Sequence, residues 1–213
     1  MSGHHPTPRA GSRHRPRLWS VFILVLLVMV IEVVTGFLTH SLALLSDAGH
    51  MATDALGLGM ALAAIVAADR AEREGQRTFG LYRLEVLAAL ANAVLLFAVA
   101  GYVIYEAAGR LENPPEVLSG PMLVVAVVGL LVNLAGWRLL RAGAAESINV
   151  AGAYLEVIAD LAGSVAVIVA ALIIRFTGWS YADPIFGAGI GLFILPRAWR
   201  LGRKAVRILI QAA

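Results

Sequence analysis

The chain has no cysteine. Disulfides, thiolate metal centres and paired-cysteine redox chemistry are therefore excluded, and any metal site must draw on His, Asp, Glu or Asn. Charge is scarce as well: only 15% of the 213 residues are Asp, Glu, Lys or Arg, while 60% are hydrophobic. With a mean hydropathy of +0.81, this lies outside the composition of soluble globular domains and reads as an integral membrane protein. The HExxH and GxSxG signatures are also missing, which argues against an intramembrane metal-dependent or serine hydrolase and leaves that class as the rival reading. A net charge of +3 raises nucleic acid as a partner. The basic residues, however, are scattered between apolar runs rather than gathered on one polar segment, so no nucleic-acid partner is expected.

What is present is a series of apolar runs. Six are long enough to cross a core of about 30 Å at 1.5 Å per residue: Leu18 to Leu38, Leu42 to Ala67, Leu84 to Ala108, Leu118 to Leu140, Ile148 to Ile174 and Tyr181 to Leu201. The expected fold is all-α, a polytopic membrane protein with six transmembrane helices joined by short connections. Residues 1–17 read as a disordered basic tail, 18–209 as the membrane domain and 210–213 as a short C-terminal tail with no cytoplasmic domain after it. Leu18 to Leu38 is too long for a signal-peptide core and has no small-residue cleavage site, so it is taken as a retained first helix. Placing both termini in the cytoplasm leaves only Arg110 and Arg175 of the 17 Lys and Arg residues outside, which sets the orientation in a cell membrane.

The polar residues inside these runs are few. Glu32 lies in the first, Asp47, His50 and Asp54 in the second, Asn92 in the third, Asn133 in the fourth, and Asn149, Glu156 and Asp160 in the fifth. The sixth run reads as free of polar residues in its interior. The polar core is thus expected among helices one, two, four and five, with three and six nearer lipid or a second protomer. Even lenient insertion scales put an aspartate at the bilayer centre at about 2.5–3.5 kcal/mol, so such groups need partners, water or a bound ion.

His50 and Asp54 are four residues apart, as are Glu156 and Asp160, so each pair occupies one helix face. Both pairs fall near the middle of their spans, on helices that run in opposite directions. Asp54-Ala-Leu-Gly57 and Asp160-Leu-Ala-Gly163 also form a faint internal echo, of a kind that fits midplane binding between inverted elements. One imidazole and three carboxylates can close a tetrahedron around zinc without a thiolate. Three carboxylates overcompensate a divalent charge, so the metal-free site is expected to hold protons and metal binding to expel them. Proton antiport follows. Asp47 shares the stripe about 10 Å farther out, where it could bond the start of its helix, orient His50 or line the outer exit. Glu32 could pair with it through a proton or water, and Asn149 either lines an inner entry or caps its helix.

The stretches SLALLSDAGHMATDALGLG, TFGLYRLEVLAALANAVLLF, ESINVAGAYLEVIADLAGS and TGWSYADPIFG resemble the cation diffusion facilitator family of divalent-metal/proton antiporters, over about Ser20 to Leu209. The resemblance implies transport ligands at His50, Asp54, Glu156 and Asp160, no resident cofactor, and a homodimer in the lipid bilayer. Such a dimer alternates between inward and outward openings and exports metal against protons. Zinc is the first expectation for the cargo. Glu156 stands where zinc-transporting members usually have His, and its oxygen donor widens the expected range to cadmium, cobalt, iron or manganese. The family's C-terminal cytoplasmic domain and a His-rich loop between Arg141 and Ser147 are not found, which makes the chain either a short form or a fragment. Those two departures also keep open a transport-inactive or regulatory partner subunit.

Overall fold

The computed structural model describes residues 15–74, 79–144 and 148–211. It consists of six helices: α1 (Arg15–Thr39), α2 (Leu42–Glu74), α3 (Phe79–Glu112), α4 (Ser119–Arg141), α5 (Ile148–Thr177) and α6 (Ala182–Gln211). No strand occurs among the described residues. Among the described residues four segments are long and apolar enough to cross a membrane: Leu18–Thr39, Leu90–Glu112, Ser119–Arg141 and Val150–Thr177. That set is smaller than the six expected. α2 and α6 lie outside it, and each carries ionisable groups within its apolar run: Asp47, His50 and Asp54 on α2, Asp183 and Arg197 on α6.

The helices overrun their expected ends. α1 begins at Arg15, inside the expected tail, and residues 1–14 lie outside the described residues. α2 continues to Glu74 and α3 begins at Phe79, so the polar connection is mostly helical backbone. α6 extends to Gln211, which takes up half of the expected C-terminal tail, while 212–213 lie outside the described residues. A polar sequence ends a span; it does not by itself end a helix, since helical hydrogen bonding continues into water.

α1 stops through a specific turn. His40 takes a positive φ of 57°, and the N–H groups of Ser41 and His40 donate back to the carbonyls of Gly36 and Phe37 at 3.0 and 3.4 Å. This is the pairing of a Schellman cap. α5 ends on Gly178, whose φ of 70° allows its N–H to reach the Ile174 carbonyl at 2.8 Å.

α2 packs against α1, α3, α5 and α6, and α4 bridges α1 and α5, while α3 and α6 form a closely packed pair. Helices α1, α2, α4 and α5 therefore surround the interior, as expected. The apolar side chains of Ile23, Leu27, Phe37, Leu131 and Phe193 point away from the bundle and are exposed, the surface a helical bundle presents to lipid.

α6 is not the nonpolar helix expected from the sequence. Asp183 in its first turn is fully buried. It accepts hydrogen bonds from the Ser41 hydroxyl at 2.7 Å and from the Leu42 and Ala43 N–H groups at 2.6 and 3.1 Å. Ser41 Oγ in turn accepts from the Leu44 N–H at 3.1 Å. The first three amides of α2, left without partners by helix geometry, are thus satisfied, two of them by a residue 140 positions away. Beside this cap the α6 backbone comes close enough to α2 that a Cβ at Gly187 would lie 3.2 Å from the Ala43 nitrogen. Replacing Asp183 with Ala is expected to cost about 2 kcal/mol, the upper range for a lost helix cap. Thermal unfolding in detergent would register it, with Asp183→Asn falling between; an unchanged midpoint for Asp183→Ala would refute the cap's role.

Candidate metal site

Contact between α2 and α5 brings the two sequence pairs to one place. His50 Nε2 lies 3.5 Å from Asp54 Oδ2 and 4.0 Å from Asp160 Oδ1. One ligand atom from each of His50, Asp54 and Asp160 falls within 4.8 Å of the others. All three are at most 3% exposed. Tetrahedral zinc, with bonds of about 2.0–2.2 Å, places its ligand atoms about 3.3–3.6 Å apart, so a small inward rotation of these side chains would complete three corners. Both imidazole nitrogens and Asp160 Oδ1 are buried and have no hydrogen-bond partner among the described residues. An unpaired polar atom in such surroundings is costly, and a cation satisfies the Asp160 oxygen and one imidazole nitrogen, the other ring nitrogen carrying the proton.

Glu156 is close by but does not join the triad. It is 22% exposed and its Oε1 is 2.9 Å from Arg197 Nη2. The same nitrogen is 2.9 Å from Asp54 Oδ1, and Nη1 donates to Asp54 Oδ2 at 3.2 Å. The guanidinium therefore takes both oxygens of Asp54 in a fork and ties Asp54 to Glu156. Arg197 was counted among the basic residues at the inner end of helix six, and nothing in its spacing marks it as a partner of the site. A usable signal would have been its position directly after Pro196, inside an apolar run.

The remaining sequence candidates separate. Asp47 and Glu32 are buried, and all four of their carboxylate oxygens have no partner among the described residues. Asp47 thus does not bond its helix start, where Asp183 acts instead. Asn149 is in α5, but its side chain lies outside the described residues. Ser164 and Gly129 carry no mark in the sequence, and Gly163 is marked only by the internal echo, yet all three line the interior. A Cβ built at Gly163 would overlap Asp47 Oδ1, and one at Gly129 would lie 2.8 Å from Glu32 Oε1 and 3.6 Å from Ser164 Oγ.

Known proteins match this chain over nearly its whole length. The family described as the cation efflux transmembrane domain matches residues 18–210. The metal cation efflux system protein CzcD of Cupriavidus metallidurans is 52% identical over 183 residues, covering 86% of this chain and 58% of that protein. The zinc transporter ZitB of Escherichia coli is 45% identical over 186 residues, 87% of this chain and 59% of its own. The cadmium, cobalt and zinc/H(+)-K(+) antiporter of Bacillus subtilis is 41% identical over 192 residues, 89% and 61% respectively. The chain thus spans about three fifths of the length of these relatives. With 18–210 matched in one continuous stretch and the buried His and Asp side chains converging inside it, the chain is a membrane protein that belongs to the cation efflux, or cation diffusion facilitator, family.

Proposed function

We propose that the protein exports a divalent metal cation, zinc foremost with cadmium and cobalt as alternatives, in exchange for a counter-cation. The observation that carries this reading is the buried convergence of His50, Asp54 and Asp160 between α2 and α5. The names of relatives point the same way, since they include zinc, cadmium and cobalt as cargo and protons and potassium as counter-ions. All six helices cross the membrane in this reading, both termini face the cytoplasm and two copies assemble as a homodimer.

Glu156 is the fourth ligand in this proposal, reached once Arg197 yields. Three carboxylates and a neutral His50 carry a formal charge of −3, which Arg197 lowers to −2, the complement of one divalent ion. The guanidinium acts as a tethered stand-in for the cargo: it holds Asp54 and Glu156 together while metal is absent and competes for the same oxygens when metal arrives. Asn149 is assigned to the inner approach, where it shares the face of Glu156 and Asp160 by helical spacing.

Two predictions test the arrangement. Asp54→Ala and Asp160→Ala should each abolish metal-driven counter-ion flux in proteoliposomes, and wild-type rates in both would refute the site. Arg197→Gln should bind Cd²⁺ about tenfold more tightly by calorimetry, because a competing charge-assisted hydrogen bond of about 1.5 kcal/mol is removed. Weaker binding would instead make Arg197 an organiser of the ligands.

A further inference from the structure

A second group of acidic oxygens lies about one helical turn from the triad, toward the bundle end where Asp183 caps α2. Glu32 on α1 and Asp47 on α2 are 0% and 1% exposed, with Asn133 on α4 and Ser164 on α5 equally buried. The glycine contacts locate these groups relative to one another. Glu32 Oε1 and Ser164 Oγ both lie against Gly129, and Asn133 Nδ2 donates to that same Ser164 hydroxyl at 3.4 Å. Asp47 rests on Gly163, the residue next to Ser164. The four carboxylate oxygens and Asn133 Oδ1 have no hydrogen-bond partner among the described residues. Asp47 is three residues before His50 on α2, one turn along the same stripe.

We infer that Glu32 and Asp47, with Asn133 and Ser164, form a second cation site built only of oxygen donors, which takes the monovalent counter-ion of the exchange. The inference rests on the metal-exchange reading above and deepens it. Donor chemistry separates the two sites. The triad offers an imidazole nitrogen, suited to zinc-like ions, whereas carboxylate, amide and hydroxyl oxygens suit hard cations. Two carboxylates from different helices, buried and unpartnered, are neutralised by positive charge shared between them, and both a proton and a potassium ion supply it. α1 and α4 provide Glu32 and Asn133 and contribute nothing to the triad, so the second site can be altered by itself. Asp47 links the two electrostatically: a cation on either side lowers the attraction for one on the other, which makes release of one favour loading of the other.

The test uses the full chain, purified and reconstituted, with zinc binding measured by calorimetry and zinc flux measured under two driving forces. One is a pH gradient without potassium, the other a potassium gradient at equal pH. Glu32→Gln should keep its zinc affinity within about threefold of wild type, since the two sites share no ligand. Its flux should fall about tenfold or more in whichever arm drives the wild type, and that arm identifies the counter-ion as proton or potassium. Gly129→Ala, which brings a methyl onto Glu32 Oε1 without changing charge, should act in the same direction. Wild-type flux in both variants would overturn the inference, as would a parallel loss of zinc affinity and flux in a folded variant, because Glu32 would then belong to the metal site. If Glu32→Gln does not fold, Ser164→Ala decides: reduced flux with zinc binding retained supports the second site, and unchanged flux refutes it. Asp54→Ala is the reference, since retained zinc binding there would sink the triad reading and not this one.

Discussion

Uncompensated negative charge in a low-dielectric interior is the constraint on which the rest of this structure depends. Glu32, Asp47, Asp54 and Asp160 are buried within the bundle with Glu156 half-buried beside them, and among the described residues the one guanidinium within salt-bridge distance of any of these five is that of Arg197. A carboxylate held without a partner in such surroundings is among the costliest groups a fold can carry. In the exchange reading proposed above, cations entering and leaving this interior offset that cost, and the imbalance between five acids and one guanidinium is then a matter of function as much as of stability.

Holding repelling groups together requires a rigid frame, and local structure supplies it. The start of α2 is fixed by Asp183 from α6 and by the turn at His40, so Asp47, His50 and Asp54 are set at definite depths along a helix whose first amides are all satisfied. Arg110 reinforces this end, donating to the His40 carbonyl at 2.5 Å and lying 3.7 Å from Asp183. Elsewhere close approach is a matter of small residues. Without side chains at Gly129 and Gly163 there is room for Glu32 and Asp47 to fold inward against neighbouring helices. Packing of this kind, rather than apolar burial, drives helix association within lipid.

Much of this was legible in the sequence, for identifiable reasons. Spacings of four between His50 and Asp54 and between Glu156 and Asp160 survive into three dimensions because helical periodicity is local. The choice of α1, α2, α4 and α5 as the polar bundle followed from where ionisable residues sit, since such groups cannot face lipid. Arg197 escaped because a basic residue near the end of an apolar run has an ordinary explanation in membrane topology, and its long side chain carries the charge from there to Asp54 and Glu156. Asp183 escaped because its role depends on tertiary contact: capping a helix 140 residues earlier leaves no local pattern. Gly129 and Gly163 are silent for the same reason, as glycine is common in membrane helices whatever its neighbours.

α6 connects the capped start of α2 to the guanidinium beside the triad. Its first turn is tied to α2 through Asp183, and one turn farther along begins a glycine-rich stretch that rests on α2 at Gly187. Pro196, immediately before Arg197, has no N–H to offer the preceding turn, so the carbonyl of Leu192 loses its usual helical partner and the helix is locally weakened. The segment carrying the guanidinium is thus separated by a weakened turn from a segment that is anchored. In the exchange reading proposed above, a cation that took Asp54 from Arg197 would act on one side of that turn and leave the other fixed, the condition for a local exchange of charge to shift part of a bundle without loosening the whole.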